Sequence, residues 1–358
     1  DSSTSRGLGD VYKRQLFVEM VEILGAEHLI YGQLGGQGSE RPVVVGPTNR
    51  CRCRRSARRC NSPPGPTGCT GFRHRTAAAS AIDADPDTLE TAAMTSSSSG
   101  SRLLPVDYDH WPYPLWIAHR GAGKHVPENT LAAFRFGAAQ GYRMFECDAK
   151  LSADEQVFLM HDATLDRTTG QSGVAGEIGW NTLSRLDAGS WHSPAYAGEP
   201  LPRLEHLLNL CLGQGLALNV EIKPTPGVEY RTGEVVAQTL QQRWPAEVEP
   251  PLLTSFKPES LQAALDTAPG LPRGLLLDTL WNAEESGTGL DWLATALALR
   301  CVAVVTHHSL MTADLRHILH THRLRALCYT VNDGALAQQL MALGVDGLIT
   351  DEVTRFTP

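Results

Sequence analysis

Several features that define common protein classes are absent from this chain of 358 residues. No apolar run approaches the ~20 residues that cross a membrane. The first residues lack the basic and apolar regions of a secretory signal peptide. No strand-like segment carries a His-x-His pair, which argues against a histidine-metal amidohydrolase. Hydrophobic residues make up an ordinary 42%, so we expect a globular cytoplasmic protein with no membrane span.

Acidic residues are missing from the stretch between Arg41 and Arg75, which contains nine arginines. Its cysteines are Cys51, Cys53, Cys60 and Cys69. Their irregular spacing lacks the paired C-x₂-C pattern of a zinc site. Interleaved aromatic residues and a recognisable nucleic-acid module are missing too. A stretch rich in Arg, Pro, Ser, Thr and Gly is typical of disorder, and we expect no nucleic-acid partner.

Residues 1–93 also differ in charge from the rest of the chain. They carry 12 Lys and Arg against 10 Asp and Glu, a net charge of +2. Because the whole chain carries −8, residues 94–358 carry about −10. Residues 5–15 resemble translated sequencing-adapter read-through, and residues 17–35 resemble a carboxyl-terminal fragment of an importer ATPase subunit. We predict that residues 1–93 are non-native or disordered, and that residues 94–110 form a leader.

From residue 111 onward, strand-like and helix-like segments alternate. The strands are predicted at 115–119, 144–151, 157–161, 217–223, 251–256, 273–278, 302–307, 326–331 and 347–350. The helices are predicted at 130–140, 203–212, 234–243, 260–268, 292–299, 312–322 and 335–343. Repeated strand–helix order predicts parallel strands, and the length of the segment fits an α/β fold, a (β/α)₈ TIM barrel over residues 111–356.

Nine predicted strands are one too many for this barrel. Only five residues separate Leu151 from Val157, and a parallel crossover needs a dozen or more. The third strand is therefore predicted to return as a β-hairpin at the barrel mouth. A two-residue turn at Asp154 and Glu155 would place His161 beside Asp148, although a slip of one residue stays open.

Acidic residues alternate on two of the predicted strands. Glu146 and Asp148 point to one face if Cys147 packs outward, and Glu221 does the same on a later strand if Ile222 packs outward. Adjacent carboxylates repel each other unless a cation lies between them. Three all-oxygen ligands favour Mg²⁺ or Ca²⁺.

Salt bridges are the alternative for these carboxylates. Lys150, Lys223 and Arg120 could pair with them across a packed barrel, and the spacing of the acidic residues does not decide between the two.

Histidines and cations complete the set of candidates. His119 and His161 are the acid/base candidates, because histidine titrates nearest neutral pH. Arg120 offers a planar fork to a phosphate, and Lys223 offers a second positive charge. Glu128 either orients Arg120 or forms a salt bridge near the start of a helix.

We expect two further groups of residues to have structural roles. Asn129 or Thr130 is expected to cap the first helix of the barrel. Apolar residues surround four other cysteines, which are expected to be buried free thiols of a cytosolic protein. These cysteines are Cys147, Cys211, Cys301 and Cys328.

The ordered motifs from residue 111 to about residue 351 resemble the glycerophosphodiester phosphodiesterase family. The matching motifs are Ala118-His-Arg-Gly, Pro127-Glu-Asn-Thr, Glu146-x-Asp148, His161-Asp162-x-x-Leu165-x-Arg167-Thr-Thr, Glu221-x-Lys223-Pro224, Ser255-Phe256, Tyr329-Thr-Val-Asn332 and Gly344-Val-Asp-Gly-Leu-Ile-Thr-Asp351. Trp111-Pro-Tyr-Pro and Asp187-Ala-Gly-Ser-Trp191 further resemble the cytoplasmic bacterial branch linked to the glycerol-3-phosphate importer.

This resemblance implies a role for each matched residue. The metal ligands would be Glu146, Asp148 and Glu221, the catalytic residues His119 and His161, and the phosphate-binding residues Arg120 and Lys223. The pocket or the layer behind the site would contain Glu128, Asp162, Phe256, Tyr329 and Asn332. Tyr329 stands where many relatives have Trp. Residues 162–202 resemble the insertion that overhangs the mouth in this family.

The implied reaction is metal-dependent hydrolysis of a small-molecule glycerophosphodiester, such as glycerophosphocholine or glycerophosphoethanolamine. Its products would be sn-glycerol 3-phosphate and an alcohol. Two alternatives stay open, namely a lyase that stops at a cyclic phosphate and a non-catalytic phosphate-binding barrel. The sequence leaves open the choice of metal, the preferred leaving alcohol, attack by water or through a cyclic phosphate, and the acid and base roles of the two histidines. It also leaves open whether residues 1–93 are native and the oligomeric state.

Overall fold

The structure, a computed structural model, describes residues 111–279 and 292–358, together with the backbone of three earlier strands. The chain divides into two compact units, Asp1–Ala92 and Ala93–Pro358. In the first unit, β1 (Leu16–Leu24), β2 (Glu27–Leu34) and β3 (Val43–Val45) form an antiparallel sheet. The predictions of a disordered or non-native segment at 1–93 and a leader at 94–110 otherwise fall outside the described residues.

The second unit is a closed barrel of eight parallel strands, to which one antiparallel strand is added. The strands are β4 (Trp116–Ala118), β5 (Met144–Leu151), β6 (Val157–Leu159), β7 (Ala217–Ile222), β8 (Leu252–Ser255), β9 (Arg273–Leu277), β10 (Ala303–His307), β11 (Arg325–Tyr329) and β12 (Gly347–Thr350). The pairings of β4 with β5 and with β12 close the barrel, while β6 pairs only with β5. The predicted TIM barrel is confirmed.

Helices follow the strands as expected for this fold. They are α1 (Leu131–Ala139), α2 (Asp166–Thr169), α3 (Trp180–Leu183), α4 (Leu204–Gln214), α5 (Glu229–Arg243), α6 (Pro258–Thr267), α7 (Trp292–Ala298), α8 (Ala313–Thr321) and α9 (Gly334–Leu343). Most ends agree with the sequence pattern to within a few residues, but α5 begins at residue 229 rather than 234. Within the described part of the chain, no helix has the length and apolar character needed to cross a membrane.

Alternation along the strands separates two apolar layers. Ile117, Met144, Leu276 and Leu327 belong to the interior of the barrel, where they form one buried cluster. The intervening residues face the helices and form the larger core. That core includes all four cysteines of the barrel, which are buried and free, as predicted. The apolar interior leaves the carboxyl ends of the strands as the place where polar side chains converge.

The hairpin register differs by one residue from the predicted one. Leu151 pairs with Val157, not with Phe158, and the loop contains three residues because Glu155 adopts a left-handed conformation (φ 59°). A left-handed residue typically closes a three-residue hairpin loop. The N–H of Met160 therefore bonds to the Asp148 carbonyl at 3.0 Å, and the predicted pairing of His161 with Asp148 is wrong.

The segment between the hairpin and α4 has a small core of its own. Phe158 and Met160 pack there against Leu165, Leu183 and Leu201. The insertion also contacts the first turn of α1, where the Ala132 N–H donates to Glu199 at 3.1 Å, and the loop that follows β4, where His192 bonds to the Lys124 carbonyl at 3.0 Å. The predicted insertion therefore lies beside the loops at the carboxyl end of the barrel.

Arg273 is fully buried at the start of β9. Its guanidinium donates to the carbonyls of Leu271 (2.6 Å), Leu299 (3.0 Å) and Arg300 (3.3 Å). The last two carbonyls follow directly on α7, where a helix leaves its final carbonyls without partners within the helix. Arg273 thus joins the end of α7 to the floor of the barrel.

Arg273→Met should lower the free energy of unfolding by about 2–4 kcal/mol, because it leaves several buried carbonyls without donors. Arg243→Met is the control, since its side chain is 57% exposed, and it should change stability by less than about 0.5–1 kcal/mol. Denaturant unfolding followed by circular dichroism measures both. Equal stability of the two variants would refute a structural role for the buried guanidinium.

Candidate functional site

Three carboxylates meet at the mouth of the barrel on two neighbouring strands. Glu146 and Asp148 alternate with Cys147 on β5, and the β5–β7 register places Asp148 opposite Glu221. One oxygen from each of the three carboxylates lies within 4.8 Å of the other two. Cys147 and Ile222 pack into the outer core, as the alternation predicts. The structure therefore brings the three predicted metal ligands together.

Ion pairs satisfy these carboxylates only in part. Arg120 Nε lies 3.3 Å from one oxygen of Asp148, and Lys223 Nζ lies 3.8 Å from the other and 3.5 Å from Glu221. Even so, Glu146 Oε1, Asp148 Oδ1 and Glu221 Oε1 are buried and accept no hydrogen bond from the described residues. The salt-bridge alternative accounts for some contacts but leaves one oxygen of each acid unsatisfied.

Burial and mutual repulsion make this cluster electrostatically costly. Burial, with the charges of Asp148 and Glu221, raises the pKa of Glu146 well above its usual value. Burial also raises the pKa of Glu221. Burial also tends to raise the pKa of Asp148, but the nearby His161, Arg120 and Lys223 outweigh burial, so the pKa of Asp148 is lowered. A divalent cation among the oxygens that accept no hydrogen bond from the described residues would offset both the burial of the charges and their mutual repulsion. The residues present therefore fit such an ion.

Arg120 follows β4 in a left-handed conformation (φ 51°). This turn lets its N–H donate to Glu146 at 3.0 Å, while its guanidinium donates to Glu128 at 2.9 Å. Glu128 thus pairs with Arg120, one of the two expectations for that residue. Gly121 comes next with φ +94°, and a Cβ there would lie 2.8 Å from the Cβ of Ala133. Only glycine fits this close approach to α1.

His119 is held from behind by a carboxylate that the sequence analysis did not single out. Its Nδ1 lies 2.6 Å from Asp351 Oδ1, and its Nε2 lies 3.8 Å from Glu146. Asn332 fixes Asp351 by donating to it at 2.8 Å and accepting its N–H at 2.9 Å. Burial opposes ionisation of Asp351, but His119 and Asn332 hold its pKa below the usual range. The ionised carboxylate accepts from Nδ1, which leaves Nε2 of His119 facing the acidic cluster.

His161 is oriented by its neighbour in sequence. Its Nδ1 lies 2.9 Å from Asp162 Oδ1, although it does not occupy the predicted place opposite Asp148 in the hairpin. Burial, together with the charges of Arg120 and Lys223, lowers the pKa of His161 well below its usual value. The imidazole is therefore neutral near pH 7, with Nε2 available as an acceptor.

The described barrel matches the model of the glycerophosphoryl diester phosphodiesterase family over residues 119–355. The chain belongs to the glycerophosphodiester phosphodiesterase family. The sequence expectation is confirmed, and the non-catalytic alternative is set aside because the chain is a phosphodiesterase of this family.

Comparisons with individual proteins agree with the family match. The chain is 30% identical over 245 residues to the glycerophosphodiester phosphodiesterase of Caldanaerobacter subterraneus, covering 66% of this chain and 94% of that one. It is 28% identical over 272 residues to the Bacillus subtilis glycerophosphodiester phosphodiesterase, covering 72% of this chain and 88% of that one. An Oleispira antarctica phosphodiesterase, solved with its product sn-glycerol-3-phosphate, superposes with a TM-score of 0.63 at 30% identity, covering 68% and 95%.

Asn129 has a second role that its position before a helix did not indicate. Thr130 is the residue that caps α1, since it accepts the Ala133 N–H at 3.2 Å. Asn129 is left-handed (φ 57°) and buried. Its side chain donates to Asp148 at 2.7 Å and accepts the Asp148 N–H at 3.1 Å. In this phosphodiesterase, the residue before the cap therefore orients one of the acidic side chains.

Aromatic residues on later strands line another part of the mouth. The rings of Phe256 and Tyr329 lie 6.1 Å apart at 88°, and both pack on the interior cluster. The Tyr329 hydroxyl donates to the Leu277 carbonyl at 3.0 Å. Because this hydroxyl is already bonded, the tyrosine presents mainly its ring.

Two residues of this site were missed as candidates although they stand within quoted motifs. Asp351 ends the final motif and contacts His119, and Arg167 lies five residues after Asp162 and contacts it at 2.6 Å. The motif positions were the available signal. The contact of Asp351 could not be read locally, since 232 residues separate it from His119.

Glu146→Gln should stabilise the metal-free enzyme by about 1–2 kcal/mol, because it removes a buried charge from a repelling cluster. The folded pKa of Glu146 is raised, so its ionised form costs stability as pH rises. The gain should therefore be small near roughly pH 4 and grow with pH.

Thermal unfolding in a chelator measures this effect. Glu247→Gln, at an exposed position, is the matched control and should show no comparable gain. A Glu146→Gln protein that is less stable than the parent at neutral pH would contradict the electrostatic account.

Proposed function

We propose that this enzyme hydrolyses glycerophosphodiesters such as glycerophosphocholine and glycerophosphoethanolamine to sn-glycerol 3-phosphate and an alcohol, with Mg²⁺ or Ca²⁺ as cofactor. One observation carries the proposal. Three buried carboxylate oxygens, on Glu146, Asp148 and Glu221, accept no hydrogen bond within the described part of the chain and lie next to two cations and two oriented histidines. The sn-glycerol-3-phosphate bound to the Oleispira antarctica relative supports the choice of product.

The divalent cation would be held by Glu146, Asp148 and Glu221. When bound, it supplies a Lewis acid that withdraws charge from the phosphodiester. The all-oxygen ligand set favours a hard ion over zinc. Asn129 orients one ligand and the Arg120 N–H orients another, and such support from behind is typical of metal sites in proteins.

The phosphate would be held by Arg120 and Lys223. Glu128 fixes the guanidinium of Arg120 at 2.9 Å, so its remaining N–H groups point in a set direction. Lys223 Nζ lies within 3.8 Å of Asp148, which places a second positive charge at the same edge of the barrel. Preorganised cations stabilise the charge that develops on phosphate oxygens as the reaction proceeds.

The proton transfers would be divided between His119 and His161. Each imidazole has its Nδ1 against a carboxylate, at 2.6 Å for Asp351 and 2.9 Å for Asp162. Each therefore keeps Nε2 for the reaction. One histidine would remove the proton of the attacking water, or of the neighbouring glycerol hydroxyl, and the other would protonate the departing alcohol. On the second route, water would then open the cyclic phosphate to give sn-glycerol 3-phosphate. Phe256 and Tyr329 would form the wall of the alcohol pocket. A cytoplasmic location stays a prediction of the sequence.

His161→Ala should lower the rate of sn-glycerol 3-phosphate release from glycerophosphocholine by about 10²–10⁴-fold, because it removes one proton-transfer group. His317→Ala, at an exposed position on α8, should retain the parental rate. Chelation should abolish the activity, and added Mg²⁺ or Ca²⁺ should restore it. Full activity in excess chelator would refute the metal requirement.

Product analysis by phosphorus NMR separates hydrolysis from the lyase alternative. A hydrolase ends at sn-glycerol 3-phosphate, whereas a lyase accumulates a cyclic phosphate. Persistence of the cyclic product would overturn the proposed reaction without affecting the family assignment.

A further inference from the structure

A second acidic cluster adjoins the first, but its carboxylates have a different kind of partner. Glu128, His161 and Asp162 also bring ligand atoms within 4.8 Å of one another. Here every carboxylate oxygen accepts a hydrogen bond. Arg167 donates to both oxygens of Glu128, at 2.7 and 2.8 Å, and to both oxygens of Asp162, at 2.6 and 2.8 Å. A guanidinium, rather than a metal ion, satisfies this cluster.

Each of these carboxylates in turn orients a residue of the proposed reaction. Glu128 accepts from Arg120 at 2.9 Å through an oxygen that Arg167 also binds. Asp162 lies 2.9 Å from His161 Nδ1 through an oxygen that Arg167 also binds. The hydrogen-bonded path from Arg120 to His161 therefore runs through Glu128, Arg167 and Asp162, and Arg167 joins the two carboxylates.

We propose that Arg167 is a positioning residue for the phosphodiesterase reaction. Its rigid fork holds Glu128 and Asp162 at once, so that Arg120 and His161 keep one fixed orientation relative to each other. The role rests on the function proposed above, because it acts through residues assigned to that reaction. Lysine, with one compact charge, cannot hold both carboxylates in two-point contact.

The insertion supplies this residue and covers it. Arg167 lies on α2, and the Trp191 ring stands 5.6 Å from its guanidinium carbon. The Trp191 indole N–H donates to the Ala188 carbonyl at 2.8 Å, which fixes the ring. An aromatic ring over a guanidinium attracts it and limits its contact with water. The insertion thus contributes a partly buried constraint, since the Arg167 side chain is 30% exposed, in addition to forming part of the rim of the site.

Loss of Arg167 leaves two neighbouring carboxylates without their shared cation. The charge of Asp162 already opposes ionisation of Glu128, so Arg167→Met creates repulsion that endangers folding. The variant Glu128→Gln/Arg167→Met/Asp162→Asn removes that repulsion and keeps the shapes of the two acidic side chains. It tests the proposal in a protein with no unpaired charge left in the cluster.

The experiment compares kcat and KM for glycerophosphocholine across these variants. Arg167→Met should lower kcat by about 10²-fold, the usual effect of a misplacement of about 1 Å. Arg167→Lys should recover little of that loss. Adding Arg167→Met to Glu128→Gln/Asp162→Asn should cost less than about threefold more, because Arg167 acts through those two residues. Arg185→Met, which removes a single bond to Asn181 in the same insertion, should keep the parental kcat.

A second measurement does not depend on turnover. Nitrogen NMR of the imidazoles should show His161 protonated at Nδ1 in the parent protein and a mixture of tautomers in Arg167→Met. Should the parent fail to cleave glycerophosphocholine, the substrate assignment falls while this spectrum still tests the positioning role. An unchanged His161 spectrum, a kcat within threefold of the parent, or a fully multiplicative loss in the triple variant would overturn the proposal.

Discussion

The structure depends on the placement of three carboxylates at one end of two adjacent strands. Asp148 on β5 pairs with Glu221 on β7, and Glu146 lies two residues before Asp148 on the same face of β5. Glu146 and Asp148 are buried and Glu221 is partly buried, so the three acids repel one another, and the neighbouring residues limit this repulsion. Arg120, Lys223 and Asn129 bind oxygens of the cluster, and one oxygen of each acid accepts no hydrogen bond from the residues that the structure describes. That balance suits a site for a hard cation.

The surrounding polar network joins residues from distant parts of the chain, apart from the adjacent pair His161 and Asp162. Asn332 holds Asp351, which holds His119, while Arg167 holds Asp162, which holds His161. Each imidazole is thereby fixed in the tautomer that leaves Nε2 available. The barrel supplies the first of these chains and the insertion supplies the second. Both parts of the domain accordingly orient the histidines proposed to transfer protons.

Much of the barrel was predictable because strands and helices produce different periodic patterns of apolar residues in the sequence. Alternation alone predicted that the acids face away from Cys147 and Ile222, the structure shows these two residues in the outer core, and the five-residue gap after Leu151 required a hairpin. The register of that hairpin was mispredicted by one residue, because the left-handed conformation of Glu155 lengthens the loop. A turn conformation depends on local contacts, such as the 2.7 Å bond from Ser152 to Asp154, that composition does not encode.

The sequence by itself determined the candidate residues for the chemistry and the strand ends that present them, because alternation and motif order are local properties. Tertiary structure decided which carboxylate faces which cation. Closure of the barrel brings Asp351 to His119 across 232 positions, and folding of the insertion brings Arg167 to Glu128 across 39. Such contacts form only when strands close and loops pack, since the direction of each side chain is then fixed by neighbours distant in sequence.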